Sequence, residues 1–439
     1  MTFTQTHALR GRGRLGIRLA AVALAGATVV TLAPAAAMAA APAGTAGASG
    51  ISGTSGAEAR AGGVDAQAEL QAFIADGSST AAFAEVRQNG RRIWRGAAGT
   101  SDLTTGQPVR PDGRFRIGSV TKTFVSTVAL QLVAEGKLRL DEPVERYLPG
   151  VVPNGGAISV RQLLNHTSGL YDYLEDPRFF YRDEASLREY VYGPSRRQDY
   201  RPEQLVAIGV AHAPYFAPGQ GWKYSNTNYV LAGMLIGKLT GNSWQREVER
   251  RIVKPLHLDD TVFPRSETGV RGPHAHAYAK LQEGPADITR LNMTVADAAG
   301  NGISTPADLN RFHAALFGGK LLRPAEQAEL TRTVPTGSGH SSYGLGVAQA
   351  DFGCGPLWGH DGGLPGWGTL LFGTADGKRQ VALSYNPYEG TDQSGLDAAV
   401  VNVAIKTLCG GAAAPAGAVA DAAAGLSTLR GASAAGATH

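Results

Sequence analysis

Three short patterns in this chain occur once each, and each carries side chains able to move protons or form covalent bonds. Ser119-Val120-Thr121-Lys122 is the single S-x-x-K, Tyr224-Ser225-Asn226 (in GWKYSNTNY) the single Y-x-N, and His360-Asp361-Gly362 (in WGHDGGLPGW) the single H-x-G. A serine hydroxyl attacks a carbonyl only when a base takes its proton. Residues i and i+3 share a helix face, so a helix opening near Ser119 would bring Lys122 beside it. Ile117, Val120, Phe124 and Val125 set that face against a core, where an ammonium needs a partner or a purpose. Lysine can act as a base only when neutral, which from an ordinary pKa costs about 4.6 kcal/mol at pH 7. Burial and nearby positive charge lower that cost. Tyr224, as a phenolate stabilised by Lys122, is a rival base, and the residues alone leave the choice open.

Other constellations are missing. The chain contains no G-x-S-x-G elbow, Walker loop, H-E-x-x-H or C-x-x-C. His274 and His276 have no Asp/Cys/His cluster beside them in sequence, so neither a metal nor a cofactor is expected. His166, in LLNHTSGL, is read as a helix-end or loop residue that binds backbone.

Charge narrows the class further. The formal net charge is +4, and its source is Arg10, Arg12, Arg14 and Arg18. These precede the apolar run LAAVALAGATVVTLAPAAAMAAA, which contains an A-x-A site at Ala37-Met38-Ala39. That is the plan of a secretory signal peptide over residues 1–39. Without them the 37 acidic residues face an equal number of basic ones, which removes the case for a nucleic-acid or anionic-membrane partner. No later apolar stretch approaches the ~20 residues of a membrane span, so no anchor is expected once the signal is removed. Export lets Cys354 and Cys409, the only two cysteines, form a disulfide. Closing that loop would contribute roughly 4 kcal/mol; two free buried thiols are the alternative.

The elements that must position these residues follow from pattern. Residues 40–63 are an Ala/Gly/Ser-rich flexible linker and 410–439 a disordered tail of the same composition. One domain spans 64–409. DAQAELQAFIADG (65–77) reads as a helix ended by Gly77, and AAFAEVRQ and RRIWRGAAG as a hairpin turned at Asn89-Gly90. Helical periods dominate from about 115 to 300, as in VSTVALQLVAEG (125–136) and NYVLAGMLIGKLTG (228–241), each stopped by glycine. YGLGVAQA (343–350), WGTLLFG (367–373) and QVALSYN (380–386) read as strands, and a last helix covers about 393–408. A sheet lobe (about 64–118 and 301–409) thus encloses a mostly helical lobe (about 119–300). The fold class is α/β (α+β), a mainly antiparallel sheet flanked by helices and closed by strands distant in sequence.

In order and context the three motifs resemble the penicillin-recognising serine hydrolases, specifically the class C β-lactamase family with its secreted D-alanyl-D-alanine carboxypeptidases and related esterases. The resemblance runs from about 65 to Cys409 and includes FRIGSVTKTF, LLNHTSGLYDY, YSNTNYVLAGMLIGKLTG and the Cys354/Cys409 pair. It implies the β-lactamase/transpeptidase-like fold and a cycle in which Ser119 is acylated and then released by water or another acceptor. It implies that Lys122 or Tyr224 is the base and that Asn226 binds the carbonyl of the acyl side chain. His360 would support the proton network and orient the leaving group. The N–H groups of Ser119 and Gly363, beside Gly362, would form the oxyanion hole, a donor pair typically worth ~3–4 kcal/mol. The expected partner is a small molecule or peptide: a cell-wall peptide, a β-lactam or an ester. The expected protein is a secreted monomer whose nearest named activity is D-alanyl-D-alanine carboxypeptidase. Esterase, β-lactamase and D-amino-acid amidase or aminopeptidase are alternatives, as is a catalytically silent binding protein. The carboxypeptidase branch commonly has threonines where this chain has Asp361 and Gly363, and VAQADFGC lacks the basic residue that helps hold a substrate carboxylate. Asp361 is therefore expected to face the site and to disfavour such a carboxylate.

Overall fold

The computed structural model describes residues 64–410 other than 180, 182 and 338–340, together with 419 and 423. The segments expected from sequence to be a signal peptide (1–39) and a linker (40–63), and most of the expected tail, lie outside the described residues. Val419 and Ala423 are helical and pack against the apolar cluster on one face of the sheet.

Seven strands carry the architecture: β1 (Ser79–Gln88), β2 (Arg91–Asp102), β3 (Ser341–Tyr343), β4 (Ala348–Asp351), β5 (Pro356–Leu364), β6 (Trp367–Thr374) and β7 (Arg379–Glu389). They pair antiparallel in the order β2-β1-β7-β6-β5-β4-β3. The join between the two ends of the chain is β1 on β7, with Ala84 opposite Leu383. Asn89 (φ 51°) and Gly90 (φ 76°) close the first hairpin, the left-handed pair that a two-residue turn needs to follow strand twist.

Alternation along the strands feeds two cores. Ala81 and Phe83 of β1 join the cluster shared with the helical lobe, while Ala82, Ala84 and Val86 join the cluster on the opposite face. That opposite face is covered by α1 (Gln67–Ala75) and α5 (Leu396–Leu408), through Leu70, Phe73, Val400 and Ala404. Toward the helical lobe lie α2 (Thr121–Ala134), α3 (Asn226–Thr240) and α4 (Pro306–Phe317). Cys354 and Cys409 are bonded, tying the turn between β4 and β5 to the end of α5.

Three local expectations are corrected. YGLGVAQA is not one strand: β3 ends at Tyr343, the chain turns through 344–347 (Gly344 N to Val347 O, 2.8 Å), and β4 begins at Ala348. Residues 356–364, not read as a strand, form β5, and the His360 motif lies inside it, directly before β6. The helical stretch also contains a hairpin, Tyr278–Leu281 with Gly284–Asp287, whose first strand runs parallel to the end of β7. Its alternation is too short to stand out from the surrounding helices. Among the described residues no helix is long and apolar enough to cross a membrane.

Candidate active site

Ser119 sits in a single 3-10 turn, Gly118–Val120, that runs directly into α2. The turn is pinned by Ile117 N to Gly302 O (2.9 Å) and Gly302 N to Thr121 Oγ1 (3.0 Å). Strand β5 passes against it with no room for a side chain. A Cβ on Gly362 would lie 2.3 Å from Ile117 O, and one on Gly118, already at φ +50°, 2.9 Å from Gly363 N. These glycines let the Ser119 and Gly363 backbones approach across the crevice, where paired N–H donors can receive an oxyanion.

Lys122 is fully buried one turn into α2. Its Nζ lies 2.7 Å from Asn226 Oδ1, 2.7 Å from Ala299 O and 3.0 Å from Ser119 Oγ. The first two oxygens can only accept, so they take two N–H bonds whatever the charge state. The third contact is a hydroxyl. A neutral amine therefore points its lone pair at the Ser119 proton without moving. Burial lowers the lysine pKa from near 10.5 to about 7, opposed by the Asp172 and Asp361 carboxylates. The base form is thus well populated at neutral pH.

Tyr224 lies under this pair, its ring centroid 4.8 Å from Nζ. Burial holds its phenol well above the ordinary value, with Ser119 pulling the other way, so it is protonated in the free site. Its buried hydroxyl reaches Ser119 and makes no well-formed hydrogen bond to any other described group. Burial thus moves the two candidate bases in opposite senses, Lys122 toward its neutral amine and Tyr224 away from its phenolate.

Asn226, the first residue of α3, bridges two charges. Its Oδ1 accepts from Lys122 and its Nδ2 donates to Asp172 Oδ2 at 2.8 Å. Asp172 also caps the short 3-10 turn at Tyr173–Glu175 by accepting from Leu174 N. Its carboxyl is pushed up to about 6, mainly by burial. Nothing in the sequence singles out Asp172: it stands inside LLNHTSGLYDY, and only the fold brings it to a residue 54 positions away.

His360 is placed behind the reacting pair. Its Nδ1 meets the Asp361 carbonyl at 2.5 Å, and a carbonyl can only accept, so the proton sits on Nδ1. Nε2, 2.8 Å from the Tyr343 hydroxyl, is then the acceptor. Burial lowers this histidine to about 3. Both nitrogens are engaged, and none of these bonds goes to Ser119 or Lys122. Tyr343, which ends β3, is a second residue the sequence reading missed. The Asp361 side chain is buried, 3.7 Å from His360 Nδ1, and its charge acts on Lys122 and Tyr224. It acts on the site through its field and not as an exposed contact. His166 binds backbone, as read, and His276 pairs with Asp287 at 2.8 Å away from this site.

A nucleophile at the mouth of a helix, a lysine base one turn behind it and a glycine-lined strand opposite define a penicillin-recognising type of serine hydrolase. The chain belongs to the Beta-lactamase family, whose model matches residues 66–404. It is 28% identical over 319 residues to penicillin-binding protein 4* of Bacillus subtilis (strain 168), covering 70% of this chain and 68% of that one. It is 35% identical over 198 residues to esterase EstB of Burkholderia gladioli, covering 42% of this chain and 47% of the esterase. Among solved structures, a D-stereospecific amidohydrolase from Streptomyces sp. is 41% identical, with a TM-score of 0.69 over 79% of this chain and 98% of that one.

Proposed function

We propose that the protein is an exported, monomeric serine hydrolase that cleaves amides or short peptides whose acyl part carries a free α-ammonium, with preference for the D-configuration. Lys122 takes the Ser119 proton, the hydroxyl oxygen attacks the carbonyl, and the N–H groups of Ser119 and Gly363 hold the oxyanion. Tyr224, protonated, gives its phenolic proton to the leaving amine and regains one from Lys122, which passes on the proton it took from Ser119 and is neutral again to deprotonate the water. Water then releases the acyl group.

One observation carries the choice of substrate. The charges acting on Lys122 are the Asp172 and Asp361 carboxylates, and no second cation acts on it. With Lys122 near half-titration, the crevice has a net negative field. Such a field attracts a substrate ammonium and repels a carboxylate; at 4 Å and an effective dielectric of 20 each such interaction is of order 4 kcal/mol. The similarity to an amidohydrolase described as D-stereospecific points the same way. Likeness to penicillin-binding protein 4* keeps a carboxypeptidase as the second reading.

The test compares D-phenylalanine amide, its N-acetyl derivative, an acyl-D-Ala-D-Ala peptide, nitrocefin and p-nitrophenyl acetate, with Ser119→Ala as the blank. The free-amine amide should exceed its N-acetyl counterpart at least tenfold in kcat/KM. A preference for the carboxylate-terminated peptide would discard this reading in favour of the carboxypeptidase.

A further inference from the structure

Tyr224 presents a puzzle of placement. Its hydroxyl must sit beside Ser119 to take part in proton transfer, and the side chain that engages it there is Ser119 itself, the residue it must serve. The ring and the backbone must do the holding, and on three sides the contact is one residue. The N–H of Lys223 donates to the His166 carbonyl at 3.1 Å. The N–H of Ser225 donates to His166 Nδ1 at 3.1 Å. Between them, the imidazole lies on the Tyr224 ring, centroids 4.2 Å apart and planes 30° off parallel. From its other side the imidazole meets the ring of Tyr343, 4.8 Å away, and Tyr343 in turn holds His360.

We infer that His166 is the positioning residue for Tyr224, clamping the backbone on both sides of it and seating its ring over Ser119 and Lys122. Nδ1 also meets Asn228 Nδ2 at 3.2 Å, so the same imidazole ties the clamp to the start of α3. His166 is fully buried at φ 63°, a left-handed conformation that residues with a Cβ adopt rarely and that histidine and asparagine tolerate better than most. Asparagine would supply the acceptor without the ring, and phenylalanine the ring without the acceptor. Because a backbone N–H can only donate, Nδ1 carries the lone pair and the proton lies on Nε2, which has no partner. A core histidine kept for its own hydrogen bonds would not leave that donor empty. Burial, with the Lys122 ammonium beside it, keeps the ring neutral, so it neither competes for the Ser119 proton nor repels the lysine.

The inference rests on the serine-hydrolase reading but not on the choice of acyl donor, so its test uses a fluorophosphonate, which reports acylation of Ser119 directly. His166→Asn and His166→Phe should each slow acylation about ten- to hundredfold, the range for a catalytic group displaced by up to an ångström. Substrate KM should change less than twofold. In a Tyr224→Phe background the same substitutions should have no further effect, because what they misplace is already gone. Folded single variants within twofold of the parent rate, or losses that multiply with Tyr224→Phe, would overturn the inference. Should neither variant fold, imidazole nitrogen resonances of the native protein remain decisive. A proton on Nε2 with no titration in the ordinary histidine range is expected; an Nδ1 proton or ordinary titration refutes the clamp. Loss of all labelling in the parent protein would instead strike the hydrolase reading.

Discussion

Three residues before Ser119 stands one buried cation, and three residues after it stands another. Arg116 is 1% exposed and Lys122 is fully buried, and burial depresses both. The guanidinium falls from 12.5 to about 10 and so remains charged at neutral pH. The ammonium falls from 10.5 to about 7 and is then only partly charged. Arg116 uses its charge on backbone, with Nη2 reaching Thr268 O at 2.6 Å and Leu291 O at 3.1 Å, so it staples the far loop of the helical lobe to the segment leading into Ser119. Lys122 meets two fixed acceptors and one hydroxyl that can give up a proton. Equal desolvation thus yields a permanent staple on one side of the serine and a titratable base on the other. The side chain's starting pKa decides which.

The largest way to break this contrast is to make the second site like the first. Lys122→Arg keeps a buried cation next to Ser119 but cannot lose its proton. Turnover and fluorophosphonate labelling should fall by about 10⁴-fold, as for loss of one member of a nucleophile–base unit. Retention of a tenth of the activity would show that the lysine acts by charge alone and not as a base.

The converse change is Arg116→Met, which removes the staple and leaves the base. Two charge-assisted bonds to carbonyls are lost, each worth about 1.5–3 kcal/mol. Arg116 Nε and Nη1, however, are buried without partners, and that uncompensated desolvation disappears with them. The net expectation is a loss of about 2 kcal/mol of stability in denaturant unfolding, with kcat/KM of the folded enzyme within about threefold of the parent. Unchanged stability with collapsed turnover would reverse the assignment and put Arg116 in the reaction.

These two residues also mark how far the sequence could be read. The helical period alone puts Lys122 beside Ser119, and the apolar neighbours alone say that the lysine is buried. The Asn-Gly turn and the glycine-stopped helices were legible for the same reason: each depends on a few adjacent residues. Asp172 and Tyr343 were not legible. Each acts through a partner on another element, Asn226 and His360 respectively, and no local pattern records such a pairing. His360 was half-legible. Its type and place suggested a proton carrier, while the carbonyl and the tyrosine that occupy its two nitrogens appear only once β3 and β5 share a sheet. The break in YGLGVAQA failed for the opposite reason, since a strand-like composition continues straight through a turn made by two glycines.

The smallest expected effect sharpens the contrast instead of breaking it. Lys122 differs from Arg116 partly because two carboxylates, Asp172 and Asp361, hold its pKa up against burial, while the other groups packed around it (Ser119, Asn226, Tyr224 and Tyr229) carry no charge at neutral pH. Asp172→Asn removes one of those charges. The substituted amide can still accept from Asn226 Nδ2, so Asn226 keeps its oxygen on the lysine. The Leu174 N–H, which now donates to Asp172 Oδ1, loses its acceptor, and some stability goes with it. The diagnostic quantity is therefore the midpoint of the acid limb of kcat/KM and not the absolute rate. In the parent that limb should lie near the lysine value of about 7, with activity rising as pH increases and Nζ loses its proton. Removing a negative charge disfavours the ammonium, so the lysine gives up its proton more easily and the limb moves to lower pH, by up to about one unit. Movement to higher pH, or none, would mean that the Asp172 charge does not reach Lys122 through the Asn226 bridge. The negative field that favours an ammonium-bearing substrate would then rest on Asp361 alone.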